Sequence, residues 1–257
     1  MWTRHEVKQR GREAFKLNYW RCVLVAFIFA IVTGGCSGGS SYRASNTNPS
    51  SGSPIETVLP EEAEEALSSP DQITDVLSEN KVLIVIFILV FLVIFIIVAV
   101  IGFVIKAFLL NPIEVGCRNF FIDNLNEPSM LSSLSRGFDV NYKNVVRIMF
   151  FRDLYLFLWA LIPIAGIFIA IVKSYSYLMV PYIVAENPDI DKDEAFSFSI
   201  NMMDGQKWRA FVLALSFIGW HILGVLTLFI LELFYVMPYQ QSTGAALYEK
   251  IDSIYNA

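Results

Sequence analysis

From Val82 to Ile105 the chain runs through 24 residues without a single charge. About 20 such residues suffice to cross the hydrocarbon core of a bilayer as a helix. Many of them are Val and Ile, which favour strands in water. In lipid, however, every backbone N–H and C=O must be paired within the segment, so the run has to be helical. This one stretch sets the expected class: an all-α, polytopic membrane protein. Composition agrees, since 55% of the 257 residues are hydrophobic against roughly 45–50% in a soluble domain.

Residues Arg4–Asn18 carry Arg4, Lys8, Arg10, Arg12 and Lys16 between Val7, Ala14 and Phe15. They read as a basic amphipathic helix lying on the inner membrane face. Tyr19 and Trp20 mark the interface, and a first span runs from Trp20 to Thr33. A cleavable signal peptide is the competing reading, but the basic region is long for one. Residues 34–81 form an acidic, low-complexity linker outside the membrane, with eight acidic residues against two basic ones. Within it Glu61–Leu67 is expected to form a short helix, and Ser69-Pro70-Asp71-Gln72 has a capping-box layout.

Residues 82–257 form the membrane domain, with spans at about 82–105, 147–164, 166–186, 207–224 and 226–247. Asn111-Pro112 bends the chain, and Ile113–Lys143 is expected to form interfacial helices. Asp191 with Glu194 is a second capping layout. It starts a helix through Asp204 with Phe196, Ile200 and Met203 along one side. The architecture is six transmembrane helices arranged as three hairpins, with amphipathic inner-surface helices. With the N-terminus inside, sixteen of the nineteen Lys and Arg lie inside or at inner ends. A four-span alternative places more of them outside, which the bias of Lys and Arg towards cytoplasmic loops disfavours. Both termini are therefore expected on the cytoplasmic side of the membrane, the chain being a multi-pass protein.

The second-half hairpins resemble each other. Tyr177-Leu178-Met179-Val180-Pro181-Tyr182 recurs 57 residues later as Phe234-Tyr235-Val236-Met237-Pro238-Tyr239, and the same offset carries Arg152 onto Arg209. The first hairpin shares the plan through Pro112. Internal repeats are common in membrane transport folds.

Ionisable groups inside a span are costly and are functional candidates by default. Lys173 and Glu232 both fall roughly 10 Å below their outer turns, at ~1.5 Å per residue. Their matched depth suggests an ion pair between adjacent hairpins. His221 lies in the same outer third. Tyr177 shares a face with Lys173, and Tyr235 and Tyr239 share one with Glu232. Lys173, Glu232, His221, Tyr177, Tyr235 and Tyr239 form the candidate polar cluster, lining a cavity or, more plainly, locking two hairpins together.

No HExxH, GxSxG or P-loop occurs, and Cys22, Cys36 and Cys117 have no metal-type spacing. Asp189–Asp193 starts like a calcium loop but has Glu194 where the loop needs Gly. No catalytic residue, metal or cofactor is indicated. The expected partners are the lipid bilayer and another membrane protein or a second copy of the chain, not nucleic acid.

Several strings resemble a known family together: Gly11–Trp20, Thr33-Gly34-Gly35, Asn111–Gly116, Lys173–Tyr182, Ala185–Asp189, Ser216–Trp220 and Pro238-Tyr239. In this order they resemble the bacterial integral-membrane family catalogued as domain-of-unknown-function family nine-seven-five. More distantly the chain is similar to membrane domains that accompany glycerophosphodiester phosphodiesterases, without their catalytic domain. The resemblance implies a six-helix plasma-membrane protein and transfers no functional residue. The expected function is a non-enzymatic transport component or an accessory of a membrane complex. The alternative is a lipid-binding or membrane-organising scaffold acting through the basic inner-surface segments.

Overall fold

The computed structural model describes residues 2–33, 81–139, 141–162 and 165–256. The linker 34–80, with Cys36 and the expected helix and capping layout, lies outside the described residues. Among the described residues the chain is all-helical, with no strand. It divides into two compact units, Ser41–Val104 and Met1–Ser40 with Ile105–Ala257. Helix α1 spans Arg4–Leu17, α2 Tyr19–Thr33 and α3 Lys81–Ile105. A π-turn at Lys106–Leu110 leads to α4, Asn111–Asn126, and a 3-10 segment at Leu131–Phe138. Then come α5 (Tyr142–Ala160), α6 (Ala165–Ser176), α7 (Val180–Glu186), α8 (Lys192–Met202), α9 (Lys207–Leu215) and α10 (Ile218–Leu226). A second π-turn, Glu232–Val236, precedes α11, Met237–Tyr255.

Among the described residues three helical stretches are long and apolar enough to cross a membrane: Val85–Asn126, Phe168–Glu186 and Lys207–Leu226. Helices α1 and α2 pass the same test as a pair but are bent by 108°. The first stretch takes in α3 from Val85, and from there to Ile105 its side chains are exposed.

In the larger unit α4 is the centre. Asn111, Pro112 and every residue from Glu114 to Phe121 are buried, and α1, α2, α5, α7 and α11 all pack on it. The helices expected over Ile113–Lys143 are thus a helix buried in protein, α4, and the 3-10 segment packed on it. The 3-10 segment folds back along α4 because two glycines permit it. A Cβ on Gly116 would collide with the Leu134 carbonyl, and one on Gly137 with the Pro112 carbonyl.

Helix α1 also departs from expectation. The Thr3 hydroxyl caps it by accepting from the Glu6 N–H, as an N-cap should. Its apolar stripe, Val7, Gly11, Ala14 and Phe15, is buried against protein, chiefly α11, rather than laid on a membrane surface. Arg10 pairs with Glu249 at 3.1 Å and Lys250 with Glu6 at 2.6 Å. The bend after α1 is clamped from α4. Asn18 donates to Asn124 Oδ1 and to the Ser129 carbonyl, and Asn124 donates back to the Ala14 carbonyl.

Three prolines punctuate the unit in one way. Pro112, Pro181 and Pro238 each stand at the start of a helix. Before Pro112 and Pro238 the preceding turn widens to π form; before Pro181 it opens into the break Tyr177–Met179. Proline has no N–H to donate and its ring crowds the carbonyl four residues back, so the helix gives way just upstream. The expected continuous helix over 166–186 is thus two pieces, α6 and α7, and the span at 207–224 is likewise interrupted at Ser216-Phe217. Asp191 caps α8 as its spacing predicts, accepting from Asp193 N. Phe196 and Met203 are buried, but Ile200 faces outward.

Candidate functional site

The three proline-led helices α4, α7 and α11 meet around charge. Arg118 projects from α4 at 9% exposure. Its Nη1 donates to the Tyr182 hydroxyl of α7 and to Gln241 Oε1 of α11, both at 2.7 Å. The guanidinium lies 4.4 Å from the Phe29 ring centroid and 4.7 Å from that of Tyr182, distances at which an aromatic face attracts a cation. Its Nη2 makes no hydrogen bond among the described residues; Glu114 Oε1 stands 3.9 Å away.

One helical turn towards Pro112, Glu114 accepts a two-pronged contact from Arg152 of α5, at 3.0 and 2.9 Å. A planar guanidinium matches a carboxylate in this fork geometry. Arg152 also donates to Asp153 Oδ1 through Nε and Nη2. Asp153 in turn accepts from Asn111 at 3.0 Å and pairs with Lys106 at 3.2 Å. Three cations and two carboxylates form one connected cluster of net charge +1. Arg152 is paired with both carboxylates, so the excess charge sits on Arg118, whose hydrogen-bond partners are neutral. Beside the cluster lies a cavity of about 500 Å³, lined by Lys106, Glu114, Arg118, Arg152, Asp153 and Tyr177 among others. Small-molecule sites are commonly of this size.

The network extends inward. The Tyr182 ring stacks on Tyr248 at 5.2 Å, and the Tyr248 hydroxyl donates to Glu186 at 2.7 Å. Burial pushes the Tyr248 hydroxyl well above its ordinary range, and the Glu186 carboxylate beside it adds to the rise.

The polar residues expected from the sequence do not form one cluster; apart from Tyr177 they fall outside this cavity, in pairs or alone. Glu232 is buried on the second π-turn and meets His221 Nδ1 at 3.0 and 3.1 Å. Gly224 makes room for it, since a Cβ there would stand 2.7 Å from Glu232 Oε2. Lys173 lies over the Trp159 ring at 5.5 Å and makes no ion pair among the described residues. The expected Lys173–Glu232 bridge is therefore replaced by two separate contacts, each with a residue on the preceding arm of the same hairpin. Tyr235 and Tyr239 do pack together, ring centroids 5.8 Å apart, against Trp220 and Phe217 respectively. Tyr177 packs on Phe196 at 5.2 Å and is the one expected residue that reaches the charged cavity.

Glu114, Arg118, Arg152 and Asp153 were not in the expected site. Two signals pointed to them. Glu114 and Arg118 stand four apart just after Pro112, and the adjacent charges Arg152-Asp153 interrupt the otherwise apolar run from Ile148 to Ala160.

An all-helical chain with membrane-length helices, proline-led repeats and a buried ionic cluster is the class that this fold defines. The particular family follows from comparison: the chain belongs to the family described as Protein of unknown function (DUF975), whose model matches residues 81–254. No curated protein and no solved structure matches the chain.

Proposed function

We propose that the chain is a bacterial plasma-membrane protein that crosses the bilayer six times, as three hairpins, with both termini in the cytoplasm. It works without catalysis, as a small transport component or as the accessory of a membrane complex, and holds a polar solute where the inner ends of the hairpins meet. Three stretches of membrane length support the placement. So does the repeated proline step, which sets Pro112, Pro181 and Pro238 at equivalent points of three returning arms. A reading without catalysis is favoured because both cluster carboxylates, Glu114 and Asp153, are engaged by Arg152 and neither is free to act as a base. Lipid scaffolding through the basic face of α1 is less favoured, because Arg10 is tied to Glu249 and Asn126.

The observation that carries this reading is the cluster itself. A purely structural core is commonly as stable or more so when apolar residues replace a buried ionic network. Arg118, buried and in excess, has a clear use only if something negative comes to it. A deletion strain scored for growth and solute sensitivity tests this. Wild-type chain is expected to restore the phenotype, and Arg118→Gln at equal abundance in the membrane is expected not to. Full restoration by Arg118→Gln overturns the reading and leaves the cluster a structural lock.

A further inference from the structure

We propose that the cavity beside Arg118 binds an amphiphilic monoanion, whose charged end presents two oxygens on one atom, as in a carboxylate or a phosphodiester. The inference rests on the solute-holding reading above and narrows it to a ligand chemistry. The charge count comes first. Lys106, Arg118 and Arg152 line one cavity together with Glu114 and Asp153, so a single negative charge brings the group to neutrality. Arg152 gives four of its five N–H groups to the two carboxylates, through Nε, Nη1 and Nη2. Arg118 gives only two: Nη1 is saturated by Tyr182 and Gln241, whereas among the described residues the buried Nε has no partner and Nη2 makes no hydrogen bond, with only Glu114 at 3.9 Å.

Desolvating an ion without a close partner is expensive. At 9% exposure Arg118 is held by two neutral acceptors and two aromatic faces, which position the guanidinium without neutralising it. That is the arrangement of a preformed anion anchor. Lys106, half exposed and bridged only to Asp153, supplies a second donor at the rim. Glu114 and Asp153 would repel an anion were they bare, but each is covered by Arg152. The same cavity is also lined by the apolar side chains of Val32, Leu156, Leu178 and Pro181, which suit the body of an amphiphile rather than a bare inorganic ion.

The chemistry has two sources, a free carboxylate or the headgroup of an anionic lipid, and the test separates them. The full-length chain, held in nanodiscs of zwitterionic phosphatidylcholine, is titrated with hexanoate and, separately, with dihexanoyl-phosphatidylglycerol. Hexanol and dihexanoyl-phosphatidylcholine serve as uncharged and zwitterionic controls. Saturable binding with a Kd of about 1 mM or tighter is expected for at least one anion and for neither control. Hexanoate binding assigns a free carboxylate; binding of the phosphatidylglycerol alone assigns a lipid headgroup. Arg118→Gln is expected to weaken binding at least about tenfold, with Arg118→Lys in between. Ser174→Trp fills the cavity from α6 with Arg118 itself unaltered and is expected to remove binding while the protein stays folded, so the test holds even if Arg118→Gln misfolds. Binding of neither anion, equal binding of the controls, or unchanged anion binding in Ser174→Trp overturns the inference. If neither anion binds and Arg118→Gln still fails in the deletion strain, the inference falls and the functional reading stands. If an anion binds and Arg118→Gln restores the strain fully, the reverse holds.

Discussion

The cluster around Arg152 and the pair His221–Glu232 both place charge among apolar helices, but they are built differently. The first draws Lys106, Glu114, Arg118, Arg152 and Asp153 from three segments and ties them to Tyr182 and Gln241 on two more. Its central side chains are only 10–11% exposed. The second joins two residues eleven apart across one turn, and the imidazole side is 35% exposed. Lys173 is looser still, with an aromatic ring for company. The connected cluster fixes how α4, α5, α7 and α11 meet; the outer pair fixes only the local fold of one hairpin. The cost of losing a charge should therefore rise with the number of elements its partners come from.

The largest effect belongs to Glu114→Ala. It leaves the Arg152 fork with Asp153 alone and Arg118 with no carboxylate within reach. Breaking a buried pair from one side costs about 3–5 kcal/mol, read as lost thermal stability of purified protein or as failure to accumulate. A cost below about 1 kcal/mol would mean that the cluster behaves like an exposed ion pair and would dissolve the contrast. Joint replacement of Glu114 and Arg152 by methionine is expected to recover most of the loss.

Next comes Tyr248→Phe, which removes the donor to Glu186 and should cost about 1.5–3 kcal/mol, the range for a hydrogen bond to a charged group. This effect carries a pH signature. The folded-state value of Tyr248 is raised, so its contribution is complete below the ordinary tyrosine value of about 10 and is lost as pH rises beyond it. Wild type should lose stability above about pH 10 faster than Tyr248→Phe does. Parallel stability curves would remove Tyr248 from the network.

Much of the architecture was legible in the sequence because it depends on local rules. The charge-free run gave α3, the Asp191 spacing gave the cap of α8, and the prolines gave the repeated step. The ionic cluster was not legible, for a physical reason. Arg118 and Arg152 stand near the ends of apolar runs, where positive charge is expected anyway, and they counted as topology markers. Their partnership with Glu114 depends on how α4 and α5 pack, across 38 residues for Arg152. The Lys173–Glu232 pairing failed for a related reason. Depth along a helix fixes height within a bundle but not the neighbour at that height. His221, just across the turn, reaches Glu232 first.

A smaller effect is expected from Glu232→Gln. The amide keeps the size of the carboxylate and can still meet His221, so the loss should be about 0.5–1.5 kcal/mol, measured by thermal unfolding. Gly224→Ala, by contrast, pushes a methyl group into the carboxylate and should cost about 1–3 kcal/mol through overpacking. If Glu232→Gln proved as damaging as Glu114→Ala, the outer pair would have to be more widely connected than its contacts indicate.

The smallest effect should be that of Lys173→Met. The ammonium over Trp159 is worth about 0.5–1 kcal/mol where such a contact is exposed, and methionine keeps most of the packing. The sharper measurement is the double variant with Glu232→Gln. Lys173 and Glu232 share no partner, since one meets Trp159 and the other His221. Sites without shared partners add to within about 0.3–0.5 kcal/mol, so the double variant should lose only the sum of the two single losses. A coupling well above that would restore the ion pair suggested by their matched depth. The outer residues would then join two hairpins, as the inner cluster joins several helices, and the distinction between the two regions would fail at its weakest point.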